Sequence, residues 1–95
     1  MPPAELPGRW RPKARRSLWA ILDYLGDRNP YAAEDLHQTI KKATKALPQH
    51  PHLYRSGRVD GTREAVVHPN YLVVYSVAND HISIIDVLHA RQEYP

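Results

Sequence analysis

His89, Arg91 and Tyr94 stand close together at the carboxyl end of the chain, and two further arginines, Arg58 and Arg63, precede them. A histidine or tyrosine can take or give a proton, and an arginine can neutralise a phosphate. Metal-independent cleavage of RNA needs those functions together: a base for the 2′-hydroxyl proton, an acid for the leaving oxygen, and cations for the phosphorane-like transition state. Each residue also has a plainer reading. Arg63 sits beside Glu64 and can pair along a strand, His89 can bond a backbone group where a strand ends, and Tyr94 can pack over a sheet. His50 and His52 form an H-x-H string with no further ligands nearby, so no metal site is expected. His68, ahead of Pro69, reads as a solvent-facing turn residue. No glycine-rich phosphate motif occurs, and no cofactor is expected.

The charge is concentrated at the other end. The 95 residues carry 13 Lys and Arg against 10 Asp and Glu, a net of +3. Arg9, Arg11, Lys13, Arg15 and Arg16 face only Glu5 within residues 1–16, so the remainder is slightly acidic. Such a patch suits a polyanion or an acidic protein segment, or is simply a solvated edge. There are no cysteines, which excludes disulfides and thiolate metal sites. No apolar run approaches the roughly 18 residues of a membrane span, and the amino terminus lacks a secretory signal. The expectation is a soluble, cytoplasmic chain with no membrane partner: a flexible lead-in over 1–8 and one domain over 9–95.

The elements that must position these residues follow from periodicity. Residues 9–11 around Trp10 suit a short strand that Pro12 ends. Leu18, Ile21, Leu22 and Leu25 fall on one stripe of a helix, and Gly26 suits its C-terminal cap. Asn29 and Pro30 read as the N-cap and first position of a second helix. Its buried stripe is Ala33, Leu36, Ile40, Ala43 and Leu47, and Lys41, Lys42 and Lys45 complement the dipole at its far end. The short link between the helices predicts an antiparallel hairpin. Residues 48–57 hold two prolines and a glycine and read as a loop. Strands are predicted at Thr62–Val67, Tyr71–Val77 and Ile82–His89, joined by tight turns into an antiparallel meander. Apolar residues on both faces of the last two strands predict one face under the helices and a second that is partly covered, or concave and functional. Trp10, Trp19 and Tyr24 read as core or partner-contact residues.

The order of one strand, two helices and three antiparallel strands, with the strings WRPKA, NPYAA, GRVDGTRE, HPNYLVVY and VLHARQEYP, resembles the RelE/ParE superfamily of type II toxin–antitoxin toxins. The likeness runs from about Trp10 to Pro95, and the loop HPHLYRSGRVDGTRE with the ending HARQEYP is most similar to the ParE branch. The resemblance implies an α+β, β-α-α-β-β-β fold with the helix hairpin packed on the meander. It also implies one of two activities. ParE-type toxins poison DNA gyrase without chemistry of their own, whereas RelE-type toxins cut messenger RNA on the ribosome. In family terms Arg63 matches a common strand arginine, and His89 to Tyr94 match the tail where nucleases keep functional groups.

This chain departs from the nuclease pattern. It has no lysine between Pro48 and Val67, no glutamate in the stretch before Arg58, and Ala90 directly after His89. The expected function is therefore a ParE-like gyrase poison causing growth arrest, as in plasmid stabilization, with Arg58, Arg63, His89, Arg91 and Tyr94 meeting the target. The alternative is a ribosome-dependent endoribonuclease using Arg63, His89, Arg91 and Tyr94 on mRNA. An inert relative that only sequesters an antitoxin is a third reading. Under each, the resemblance implies a hetero-oligomer with a cognate antitoxin, contacting Arg9, Arg11, Arg15, Arg16 and Trp19.

Overall fold

Proline and asparagine set the helix boundaries. Pro12 and Pro30 each stand in the first turn of a helix, where a missing N–H forfeits no bond. Asn29 serves both helices: its N–H bonds the Leu25 carbonyl at 2.8 Å, and its side chain accepts the Ala32 N–H at 3.1 Å. In the computed structural model, which describes residues 8–94, the order is β1 (Gly8–Trp10), α1 (Pro12–Arg28), α2 (Pro30–Ala46), β2 (Arg55–Ser56), β3 (Arg63–His68), β4 (Tyr71–Val77) and β5 (Ile82–His89). Apart from Gly8, the lead-in expected over 1–8 lies outside the described residues.

The architecture is the expected α+β hairpin-on-meander, with corrections at its edges. Gly26 does not end α1, which runs on to Arg28 because Asn29 supplies the cap three residues later. The first strand begins at Gly8 rather than Arg9, and β3 spans Arg63–His68 rather than Thr62–Val67. The loop after α2 contains a strand that periodicity does not reveal. Arg55 and Ser56 pair antiparallel with Glu64 and Arg63, closing a hairpin. Two glycines permit it: Gly61 takes φ +84°, and a Cβ on Gly57 would collide with the Thr62 hydroxyl. The result is a five-stranded sheet in the order β1-β5-β4-β3-β2, with β1 parallel to β5 and the other pairs antiparallel.

The inner face of this sheet carries the main core. Leu18 and Leu22 of α1, Leu36 and Ile40 of α2, and Leu47 pack on Ala65, Val73, Tyr75, Ile82, Ile84 and Val87. Each large apolar side chain buried there contributes roughly 1.5–3 kcal/mol. The outer face has a smaller cluster of Leu72, Val74 and Leu88, against which Ile85 and Tyr94 pack. A bulge explains why β5 reads apolar throughout. Val74 pairs with Asp86 but Tyr75 pairs with Ile84, so Ile85 is an extra residue that reverses the alternation. Ile82, Ile84 and Val87 then all point inward, while Ser83, Asp86 and Leu88 point outward.

Candidate functional site

Two surfaces gather the charged and aromatic residues, one on each side of the sheet. On the helix side, a groove of about 1000 Å³ runs between the hairpin and the β1 edge. Trp10, Leu18, Trp19 and Ile84 supply apolar walls, and Arg15, Lys41, Lys42 and Lys45 supply charge. Residues 37, 41 and 45 recur every four positions, which sets His37, Lys41 and Lys45 along one helix face. Among the described residues none of these four cations has a carboxylate within salt-bridge distance. Trp19 is 54% exposed and meets the His37 ring edge-on at 5.5 Å. Beyond that pair the groove continues into a second hollow of about 510 Å³ formed with Leu22, Pro30, Tyr31 and Glu34.

Four cations on the outer side are tied down. Arg55 donates to Glu64 Oε1 at 3.1 Å through Nε and lies at 2.9 Å through Nη2. Arg58 approaches Oε2 at 3.9 Å. Glu64 itself is buried, and its Oε2 accepts no hydrogen bond. Lys13 lies 3.5 Å from the buried Asp86, whose other oxygen accepts the Val87 N–H at 2.9 Å. Arg11 donates to the Ser83 hydroxyl at 3.0 Å. Arg58 also covers the Tyr94 ring at 4.5 Å and donates to the Gln92 carbonyl at 3.4 Å.

The predicted basic patch is thus divided. Arg15 and Trp19 line the groove, Arg9 alternates to the outer face beside Arg11, and Arg16 is exposed on α1 outside the groove lining. The predicted target or catalytic set is dispersed as well. Arg63 points to the inner side and donates to the Tyr54 and His52 carbonyls at 2.7 and 3.4 Å, bracing the loop. His89 shares that side but pairs with Tyr71, whereas Arg63 pairs with Tyr75, so they stand about 13 Å apart along the strands. The His89 ring meets Tyr71 edge-on at 5.3 Å, and its Nδ1 accepts the Arg91 N–H at 3.1 Å. Arg91 is exposed. Tyr94 lies on the outer face with Arg58, its hydroxyl buried and without a hydrogen-bond partner among the described residues. Of the predicted set, Arg58 and Tyr94 are brought together side chain to side chain, and His89 meets Arg91 through the Arg91 backbone.

Burial pushes the Tyr75 hydroxyl above its ordinary pKa, against the opposing charge of Arg63. That hydroxyl donates to the Pro51 carbonyl at 2.9 Å. Asp80 is lowered, chiefly by its hydrogen bond to the His81 ring at 2.7 Å. Among the described residues no three His, Cys, Asp or Glu side chains gather as a metal site, and no helix is long and apolar enough to cross a membrane.

A groove with free cations and an outer face built on Arg55–Glu64 is set on a sheet that other chains share. The family described as the ParE toxin of type II toxin–antitoxin systems, parDE, matches residues 9–94. The chain belongs to the ParE toxin family. Y4kP of Sinorhizobium fredii is 35% identical over 88 residues, covering 92% of this chain and 91% of that one. Toxin RelE2 of Caulobacter vibrioides is 35% identical over 83 residues, covering 87% and 93%. The fold of this ParE-family toxin is also that of a chain from the chromosomal ParDE system of P. aeruginosa, with a TM-score of 0.79 at 22% identity over 92% and 98% of the two chains.

Proposed function

We propose that this ParE-family toxin acts by binding DNA gyrase and is held inactive by an antitoxin segment lying in the helix-side groove. The observation that carries the first half is the dispersal of the nuclease candidates. A phosphoryl-transfer site needs its base, acid and cation within a few ångströms of one reacting phosphate. Here Arg63 is occupied by loop carbonyls, His89 lies at the other end of the sheet, and the Tyr94 hydroxyl is buried on the opposite face. Such an arrangement favours recognition over chemistry.

The second half is supported by the groove's four unpaired cations beside Trp19. They suit an amphipathic segment with acidic residues over Lys41 and Lys45 and apolar residues over Trp19 and Leu22. Arg9, Arg11 and Arg16 lie outside that lining and would meet only a segment that continues around the β1 edge.

The test is purified, folded toxin in a gyrase supercoiling assay. Loss of supercoiling with trapped cleaved DNA is the expected result, relieved by the antitoxin. Unimpaired gyrase together with messenger cleavage on programmed ribosomes would replace this reading with the RelE-type activity. Absence of both, with no growth arrest on expression, would leave only antitoxin sequestration.

A further inference from the structure

The outer face ends in an arrangement that neither the fold nor the groove requires. After β5 the chain turns back, with the Ala90 N–H bonded to the Asn70 carbonyl at 2.7 Å and the Gln92 N–H to the His89 carbonyl at 2.9 Å. Tyr94 then lies on the apolar strip of Leu72, Val74 and Leu88. Three contacts from one side chain hold it there: Arg58 covers its ring, bonds the Gln92 carbonyl and reaches toward Glu64. Yet the closed position buries two polar atoms that have no hydrogen-bond partner among the described residues, the Tyr94 hydroxyl and Glu64 Oε2. Orphaned buried groups are rare in folded proteins, and each works against the state that buries it.

We propose that residues 91–94 form a strap with two positions, in which Arg58 is the clasp and the unpartnered Tyr94 hydroxyl keeps the closed position weak. Lifting the strap returns that hydroxyl to water, uncovers Leu72, Val74 and Leu88, and frees the Arg58 guanidinium. The sheet beneath is held by its own ladder and stays intact, because the β4–β5 pairing makes no use of Tyr94. The strap thus hides an apolar strip and engages a cation on the side of the sheet away from the antitoxin groove. The motion is independent of the gyrase reading.

The hydroxyl makes the proposal sharp, because removing it should tighten the strap. Backbone relaxation dispersion at Glu93 and Tyr94, with Leu72 and Leu88 methyl shifts, reads the open population in the intact toxin. The wild type should show a measurable open state. Tyr94→Phe should reduce that state about fivefold by removing the orphaned group, and Arg58→Ala should enlarge it by a similar factor. Val73 and Val87 amides, in the strands below, serve as the reference and should not change. A rigid wild-type tail, or Tyr94→Phe leaving the open population equal or larger, overturns the proposal. So does an Arg58→Ala variant that loosens Val73 and Val87 as much as the tail, since Arg58 would then be bracing the sheet. Gyrase inhibition plays no part in these readouts, so the strap and the target reading can fail separately.

Discussion

The groove beside the helices and the outer face of the sheet are both basic, and they use their cations in opposite ways. In the groove, Arg15, Lys41, Lys42 and Lys45 stand beside exposed Trp19 with no described carboxylate to neutralise them. On the outer face, Lys13, Arg55 and Arg58 are each directed at a buried acid. A cation paired with a buried carboxylate is part of the fold, because the acid cannot stay charged without it. An unpaired cation on a solvated helix contributes little to folding and remains available to a partner. Counting positive charges cannot separate these roles, whereas tracing which acids they touch does.

The largest effect that would break this contrast is on the outer face. Arg55→Ala with Arg58→Ala leaves the buried Glu64 carboxylate without a counter-ion, and destabilisation of about 3–5 kcal/mol is expected. Urea unfolding monitored by circular dichroism measures it. A loss under about 1 kcal/mol, the range of a surface pair, would mean that the outer cations are as free as those in the groove.

A smaller effect, on binding rather than folding, is expected from the groove. Lys41 and Lys45 are exposed, so Lys41→Glu with Lys45→Glu should leave urea stability within about 0.5 kcal/mol. Affinity for the antitoxin should fall at least about a hundredfold, with a shallower salt dependence. Arg16→Glu, one reversal outside the lining, should change affinity less than about threefold. Titration calorimetry at two salt concentrations separates the cases. Equal losses from the two variants would show that general attraction, not the groove, binds the antitoxin.

Much of the frame that carries these surfaces was legible in the sequence. Asn29 and Pro30 marked the start of α2, and the apolar stripes placed Leu18, Leu22, Leu36 and Ile40 in the core. Local signals also misled. Gly26 suggests a helix end, but a stronger cap lay at Asn29, and helices tolerate a glycine when packing continues past it. β2 has only two residues, too few to show a period. The roles of Arg63 and Glu64 depend on strand alternation combined with a partner strand nine residues back in the chain, which no local pattern contains. The groove lysines are visible in the sequence, where the helix dipole alone accounts for them. Their common face with His37 was present in the spacing of 37, 41 and 45. What could not be read was that Trp10 and Ile84, distant in sequence, would complete the wall.

The smallest expected effect concerns the loop that joins the two surfaces. Pro48 lines the groove, Arg55 and Arg58 belong to the outer face, and between them the Pro51 carbonyl is held by the Tyr75 hydroxyl. Tyr75→Phe leaves that carbonyl without its donor, and a loss of about 1 kcal/mol is expected near neutral pH. Burial raises the pKa of Tyr75, so the folded protein holds this proton more tightly than the unfolded chain does. Its contribution is therefore complete below the ordinary value of 10.0 and is lost as pH climbs through the raised one. The gap between wild type and Tyr75→Phe should accordingly be constant across neutral pH and narrow on the alkaline side. The other tyrosines titrate in both proteins and cancel in the difference. A gap that stays constant, or widens, would mean that Tyr75 does not lock the loop through its protonated hydroxyl. The link between the groove and the outer face would then rest on Arg63 alone, through its bonds to the Tyr54 and His52 carbonyls.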